Sequence, residues 1–187
     1  RLMPQAKPAD RSPETQRSPR DSRSSPAVLP RGSVRAASGG RRILVRASGV
    51  HGRGVYAVAE IPAGDLIIEY RGERIGWDEA LRRHPHDPRQ PDHTFYFHLG
   101  DGSEVIDALY GGNSARWINH SCEPNCEARE EGGRVFIHAL RDILPGEELF
   151  YDYGLVIDER YTPALKKRFA CRCGSPLCRG TMLAPKR

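Results

Sequence analysis

Three cysteines within eight residues, Cys171, Cys173 and Cys178, are the densest chemistry in this 187-residue chain. Thiolates at Cys-x-Cys-x4-Cys spacing, with Gly174 and Pro176 to turn the chain between them, suit zinc, which takes four sulfur or nitrogen ligands tetrahedrally. A fourth thiol must come from Cys122 or Cys126, about fifty residues earlier. Such a site is closed, so its work is structural: it would pin the C-terminal stretch onto the body of the fold. The cysteine count is odd and the N-terminus lacks the apolar stretch of a Sec-type signal. A metal site or free thiols are therefore expected rather than a disulfide framework.

Three further groups carry weaker signals when taken singly. Tyr151 and Tyr153 flank Asp152, and a two-residue period puts both phenols on one face of an extended segment. Two tyrosines in a strand are more often packing. Ser114–Asn119 reads as a helical turn; in the overlapping run Arg116-Trp117-Ile118-Asn119-His120, Trp117 and Ile118 are expected in the core, and Asn119 and His120 either cap a turn or reach a ligand. His51-Gly52-Arg53-Gly54 lies between two strand-like runs, where Gly-x-Gly lets a backbone approach a ligand closely. A tight turn explains one such copy equally well. No long helix and no third glycine follow it, which excludes a dinucleotide-binding fingerprint.

Order and spacing make these signals specific. The runs Gly49-Val50-His51-Gly52-Arg53-Gly54-Val55-Tyr56, Ile68-Glu69-Tyr70-Arg71-Gly72, Gly112–Cys126 with Asn119-His120-Ser121-Cys122 inside it, and Gly146–Gly154 together resemble the SET-domain protein-lysine methyltransferases. The Cys171–Cys178 cluster resembles a post-SET zinc motif. The likeness runs from about Arg42 to Leu183. It implies a mostly-β fold of short strands in small sheets, with the C-terminal segment threaded knot-like through a preceding loop, an exception to ordinary connectivity. That threading would bring 119–122 beside 151–153.

The resemblance also implies roles. S-adenosylmethionine would lie against His51, Gly52, Arg53 and Gly54, with Tyr96, Arg116, Asn119 and His120 completing its pocket and Arg172 and Met182-Leu183 closing over the adenine. Cys122, rather than Cys126, would join Cys171, Cys173 and Cys178 on a structural zinc, leaving Cys126 as a buried small hydrophobe. Tyr153, Tyr151 and Tyr96 would form the catalytic channel. A phenol with a pKa near 10 is a poor base at neutral pH, so Tyr153 is expected to orient the amine rather than deprotonate it. Tyr151 takes the family's Phe/Tyr switch position, from which mainly mono- or dimethylation is expected. No cysteine precedes Cys122, so the pre-SET zinc cluster of some members is absent, and the Pro- and His-rich loop 82–93 departs from the family pattern.

The elements that would position these groups follow from hydrophobic pattern and turn signals. Strands are expected from Ile43, over Gly54–Ala59, over Leu66–Tyr70 as a buried strand, and over Thr94–Leu99 paired with Glu104–Ile106 across Asp101-Gly102. A helix is expected over Trp77–His84, and a hairpin of Cys126–Arg129 and Val135–Ala139 around Gly132-Gly133. Leu149–Tyr153 would be the last strand, and the tail after Gly154 mostly irregular. Residues 1–40, rich in Arg, Ser and Pro, read as a disordered leader, 41–156 as the SET domain and 157–187 as the post-SET segment.

Charge separates leader from body. Residues 1–42 hold ten basic and three acidic side chains, whereas the rest of the chain holds 19 and 21. A mildly acidic body suits a basic protein tail such as a histone's, and a basic leader permits weak nucleic-acid contact. No apolar run is long enough for a bilayer. Nuclear, chromatin-bound or cytoplasmic placement is expected, or secretion as an effector if the source is bacterial. Two other classes remain open: an inactive SET-like module that binds peptide or cofactor, and a zinc-stabilised nucleic-acid binder.

Overall fold

The run Ile43–Ala47 (β2) forms an antiparallel hairpin with Arg53–Ala57 (β3), pairing Leu44 with Tyr56 and Ala47 with Arg53. Between them the chain closes by a bond from the Ser48 amide to the Gly52 carbonyl at 2.9 Å, with Gly52 at φ 50°. Only glycine takes that conformation without strain, so the 51–54 loop is held open as a backbone surface. The computed structural model describes residues 5–6, 40–85, 87–90, 93–100 and 102–186.

Within the leader, Gln5–Ala6 (β1) pair with Leu155–Val156 (β12), so those two residues are not irregular as the composition suggests. Residues 1–4 and 7–39 of the leader lie outside the described residues, and so do His86, Pro91, Asp92, Asp101 and Arg187.

Two three-stranded sheets form the body. Leu66–Tyr70 (β4), Arg134–Ala139 (β10) and Cys126–Glu131 (β9) run antiparallel in the order β4-β10-β9. Glu73–Gly76 (β5), Glu104–Asp107 (β7) and Tyr96–Leu99 (β6) make the second, in the order β5-β7-β6. Alternation buries Val135, Ile137 and Ala139 of β10 completely, and they pack with Val55, Ile61, Ile143 and Leu149 in one core. Removing such side chains from water drives the fold, at about 1.5–3 kcal/mol each. β4 is not the buried strand expected. It lies at a sheet edge with Leu66 exposed and only Tyr70 fully buried.

Helices are few. Trp77–Arg83 (α1) carries Asp78 and Glu79 in its first turn and Arg82 and Arg83 in its last, matching the helix dipole. Ser114–Trp117 is a 3-10 turn. Asn113 accepts from the Ala115 amide at 3.2 Å and donates to the Glu69 carbonyl at 2.7 Å, tying the turn to β4. The tail is more regular than expected: Pro163–Arg168 (α2) is capped by Thr162, whose hydroxyl accepts from the Leu165 amide at 3.2 Å. Thr followed by Pro at the first helical position is a start signal present in the sequence.

Gly112 precedes that 3-10 turn under strict steric control. A Cβ added there would lie 2.0 Å from the Ala108 carbonyl oxygen, the same oxygen that accepts from Arg116 Nη1 at 3.0 Å. Gly112→Ala should cost about 1–3 kcal/mol through overpacking. Urea denaturation followed by fluorescence checks this, and an unchanged midpoint would contradict it.

Candidate active site and cysteine cluster

Asn119–His120 (β8) and Phe150–Tyr151 (β11) form a two-residue parallel ladder, with Phe150 opposite Asn119 and Tyr151 opposite His120. Parallel pairing between segments about thirty residues apart delivers the adjacency expected of 119–122 and 151–153. Asn125 locks it. Its Nδ2 donates to the Glu148 carbonyl at 2.8 Å, and its Oδ1 accepts from the Phe150 amide at 2.8 Å.

Asn119 is buried, and its amide donates to the carbonyls of His51 (3.3 Å) and Arg53 (2.9 Å) and to Glu148 Oε1 (2.9 Å). One side chain thus fixes the glycine loop to the ladder. Glu148, which no local motif singles out, also accepts from the Tyr56 hydroxyl at 2.8 Å. Gly54 does not reach the cleft wall. Its α-carbon faces Glu148, whose Oε1 would lie 2.0 Å from an added Cβ.

These parts line one cleft of about 650 Å³. His51, Gly52, Arg53, Arg116, Asn119 and His120 stand along it, Tyr151 and Tyr153 at its side, and Arg172 with Met182 on the wall supplied by the tail. The tail also contributes Lys167, Arg168 and Phe169 at the end of α2, which sequence reasoning missed because it left that stretch irregular. Among the described lining residues there are five Arg or Lys and no Asp or Glu. Aromatic faces add to it: the rings of Phe95 and Trp117 meet edge-on at 5.1 Å, and the Arg53 and Arg116 guanidinium carbons lie 5.1 and 4.9 Å from the Trp117 ring. Trp117 is therefore half-buried cleft wall rather than full core, whereas Ile118 is buried as expected.

The tyrosine pair is compact. The rings of Tyr151 and Tyr153 are 4.9 Å apart, and the Tyr153 hydroxyl donates to the Ile118 carbonyl at 2.9 Å. Burial holds both phenols well above the ordinary tyrosine range, helped for Tyr151 by Tyr70 and for Tyr153 by Glu148. Neither phenol ionises at neutral pH, so neither can serve there as a base. Tyr96 stands apart from them. Although it borders the cleft, it packs against the Ile75, Ala80 and Val105 cluster, and its hydroxyl donates to the Ala80 carbonyl at 3.2 Å. Period two along β6 instead sends Phe97 toward the pair, 6.5 Å from Tyr151 and 5.4 Å from Tyr70.

His120 joins the cleft to the cysteines. Its Nδ1 accepts from the Tyr153 amide at 3.1 Å and its Nε2 lies 3.5 Å from Cys122 Sγ. Burial lowers its pKa to about 4 against the opposing pull of Asp152. A neutral ring protonated at Nε2 satisfies both contacts.

Cys122, Cys171, Cys173 and Cys178 place their sulfurs all within 4.8 Å of one another. Cys122 and Cys171 are 3.7 Å apart, close to the ~3.8 Å edge of a tetrahedron with 2.3 Å metal–sulfur bonds. Burial raises the Cys122 and Cys171 thiols, whereas at Cys173 hydrogen bonds, led by the Cys122 backbone, outweigh burial and bring the thiol below its ordinary range. A thiolate is what a metal requires. The donor set fits a structural metal ion. Cys126 is fully buried with its thiol against Asn125 Oδ1 at 3.4 Å, outside the group.

Comparison with known proteins adds a family to this geometry. A histone-lysine N-methyltransferase of Eremothecium gossypii, named as H3 lysine-4 specific, is 43% identical over 137 residues, 71% of this chain. The protein of that name from Saccharomyces cerevisiae is 41% identical over 142 residues, and the trithorax histone-lysine N-methyltransferase of Drosophila virilis 39% over 136. The chain spans only 14%, 13% and 3% of their respective lengths. The SET domain description itself matches residues 52–154, more than half of the chain, and that stretch contains Gly52–Gly54, Asn119–Cys122 and both tyrosines of the pair. The chain belongs to the SET-domain family.

Proposed function

We propose that this chain is an S-adenosylmethionine-dependent protein-lysine N-methyltransferase acting on a histone tail or a similarly basic protein segment. The observation that carries the reading is the Tyr151–Tyr153 pair, its rings in contact at 4.9 Å, beside the Asn119-pinned glycine loop, all on one cleft. The curated relatives' names point to histone H3 as the first substrate to try. Action on a histone would place the protein at chromatin. No helix among the described residues is long and apolar enough to cross a membrane.

S-adenosylmethionine would supply an electrophilic methyl group when bound. His51, Gly52, Arg53, Arg116, Asn119, His120 and Arg172 would hold it. The cationic wall suits the carboxylate of its amino-acid end. The same positive field, with burial among aromatic rings, disfavours an incoming ammonium and so favours the neutral amine that methyl transfer needs. Water carries the proton away, since both phenols are pinned in their protonated form. Tyr153, held by the Ile118 carbonyl, orients the amine and narrows the channel. Alignment and exclusion of water supply most of the acceleration. The four-thiol set suits zinc over harder cations, in a structural role.

Incubating the protein with core histones and labelled S-adenosylmethionine, followed by mass spectrometry, tests the reaction and reads the methyl count. Absence of label on every histone and on other basic proteins would overturn it. Tyr151→Phe should widen the channel by one hydroxyl and move product from mono- and dimethyl toward trimethyl-lysine. Abundant trimethyl product from the unaltered protein would contradict the role given to Tyr151. The basic leader carries the charge for a nucleic-acid contact, measurable as salt-sensitive DNA retention.

A further inference from the structure

The ladder that positions the catalytic segment is only two residues long, ending at Tyr151. Beyond it, residues 152–154 are fixed by side chains. The Tyr153 amide donates to His120 Nδ1 at 3.1 Å and the Gly154 amide to Asp152 Oδ1 at 3.0 Å. Asp152 is itself held from the tail: Arg179 Nη1 donates to Oδ2 at 2.8 Å and Nη2 to Oδ1 at 2.9 Å, a two-pronged match of guanidinium to carboxylate. Arg179 follows Cys178 directly in the chain, and its backbone amide donates to Cys122 Sγ at 3.4 Å. One residue therefore touches the cysteine cluster with its backbone and the catalytic segment with its side chain.

We propose that Arg179 and Asp152 act as a pair of positioning residues, through which the metal-ordered tail fixes the Tyr151–Tyr153 pair for methyl transfer. The inference rests on the methyltransferase reading above. Neither side chain lines the cleft, so their influence runs through the backbone of 152–154. Lysine at 179 would keep the charge but lose the planar fork. Asparagine at 152 would keep the shape and weaken the pull. The bond from residue 179 to Cys122 is made by the backbone and survives both changes.

The test compares Arg179→Lys, Asp152→Asn and the double variant with the unaltered protein. Metal content, turnover on core histones, the mono-to-dimethyl ratio and amide hydrogen exchange are measured for each. Each single variant should lower kcat by about tenfold or more, because small misplacements of reacting groups are costly. The mono-to-dimethyl ratio should change, and exchange at Tyr153 and Gly154 should quicken about tenfold while Ile137 in the core is unaffected. The double variant should lose little more than either single one. A merely structural role would lower total turnover in step with metal content and leave the ratio alone. That result, or unaltered exchange at Tyr153 and Gly154, would overturn the proposal. If the unaltered protein methylates nothing, the methyltransferase reading falls, and the exchange measurements still decide whether the fork holds the segment.

Discussion

Replacing Tyr153 by Phe should lower single-turnover methyl transfer by about 10²–10³-fold, in the range seen when one preorganised polar group is removed from an active site. The ring stays against Tyr151 and His120, so packing at 4.9 and 5.3 Å is retained. What disappears is the hydroxyl held 2.9 Å from the Ile118 carbonyl, together with its ability to direct an amine. The buried carbonyl left without its donor costs about 1–3 kcal/mol of stability. Activity and stability should thus separate: a large kinetic loss beside a modest fall in Tm. Single-turnover kinetics with a melt of the same sample reads both, and near-normal transfer by this variant would remove Tyr153 from its assigned role.

Stripping the metal should be as damaging to ligand binding as the first change is to turnover. The tail has a small apolar core of its own, Ile157, Leu165, Phe169 and Leu183, with few backbone bonds back to the body, among them Ala184 to the Leu155 carbonyl at 2.8 Å. So little buried surface leaves it dependent on the cysteine cluster. Cys178→Ser, or treatment with a strong chelator, should weaken S-adenosylmethionine binding by about 100-fold or more, because Arg172, Met182 and the α2 end leave the cleft wall. Secondary structure of the main core should persist. Calorimetric titration of the protein before and after chelation decides this, and an unchanged Kd would show that the tail needs no metal.

Much of this arrangement is legible in the sequence because local rules happen to agree with tertiary ones. The cysteine spacing, the glycine-bearing turn before Arg53 and the two-residue phase of Tyr151 and Tyr153 each specify their geometry within a few residues. Where partners come from far away, local reading fails. Glu148 looks like any surface glutamate in Gly146-Glu147-Glu148, and only the fold brings Asn119 and Tyr56 to it. Arg179 hides in the same way. Two misses were avoidable. The alternation of Phe95, Tyr96 and Phe97 already puts Tyr96 on the opposite face from its neighbours, and Thr162-Pro163 already announces a helix. The edge position of β4 was not readable, since an apolar run cannot say how many neighbours it will have.

The cleft wall built by Lys167–Arg172 and Met182 has a consequence for biogenesis. Synthesis proceeds from the N-terminus, and domains generally begin folding in that direction. The β4-β10-β9 sheet can assemble while the tail is still inside the ribosome, but the groove for a small molecule has only one bank until Met182 emerges. A nascent chain of this protein should therefore have a folded main core and yet stay blind to its ligand until residues 167–182 have left the ribosome.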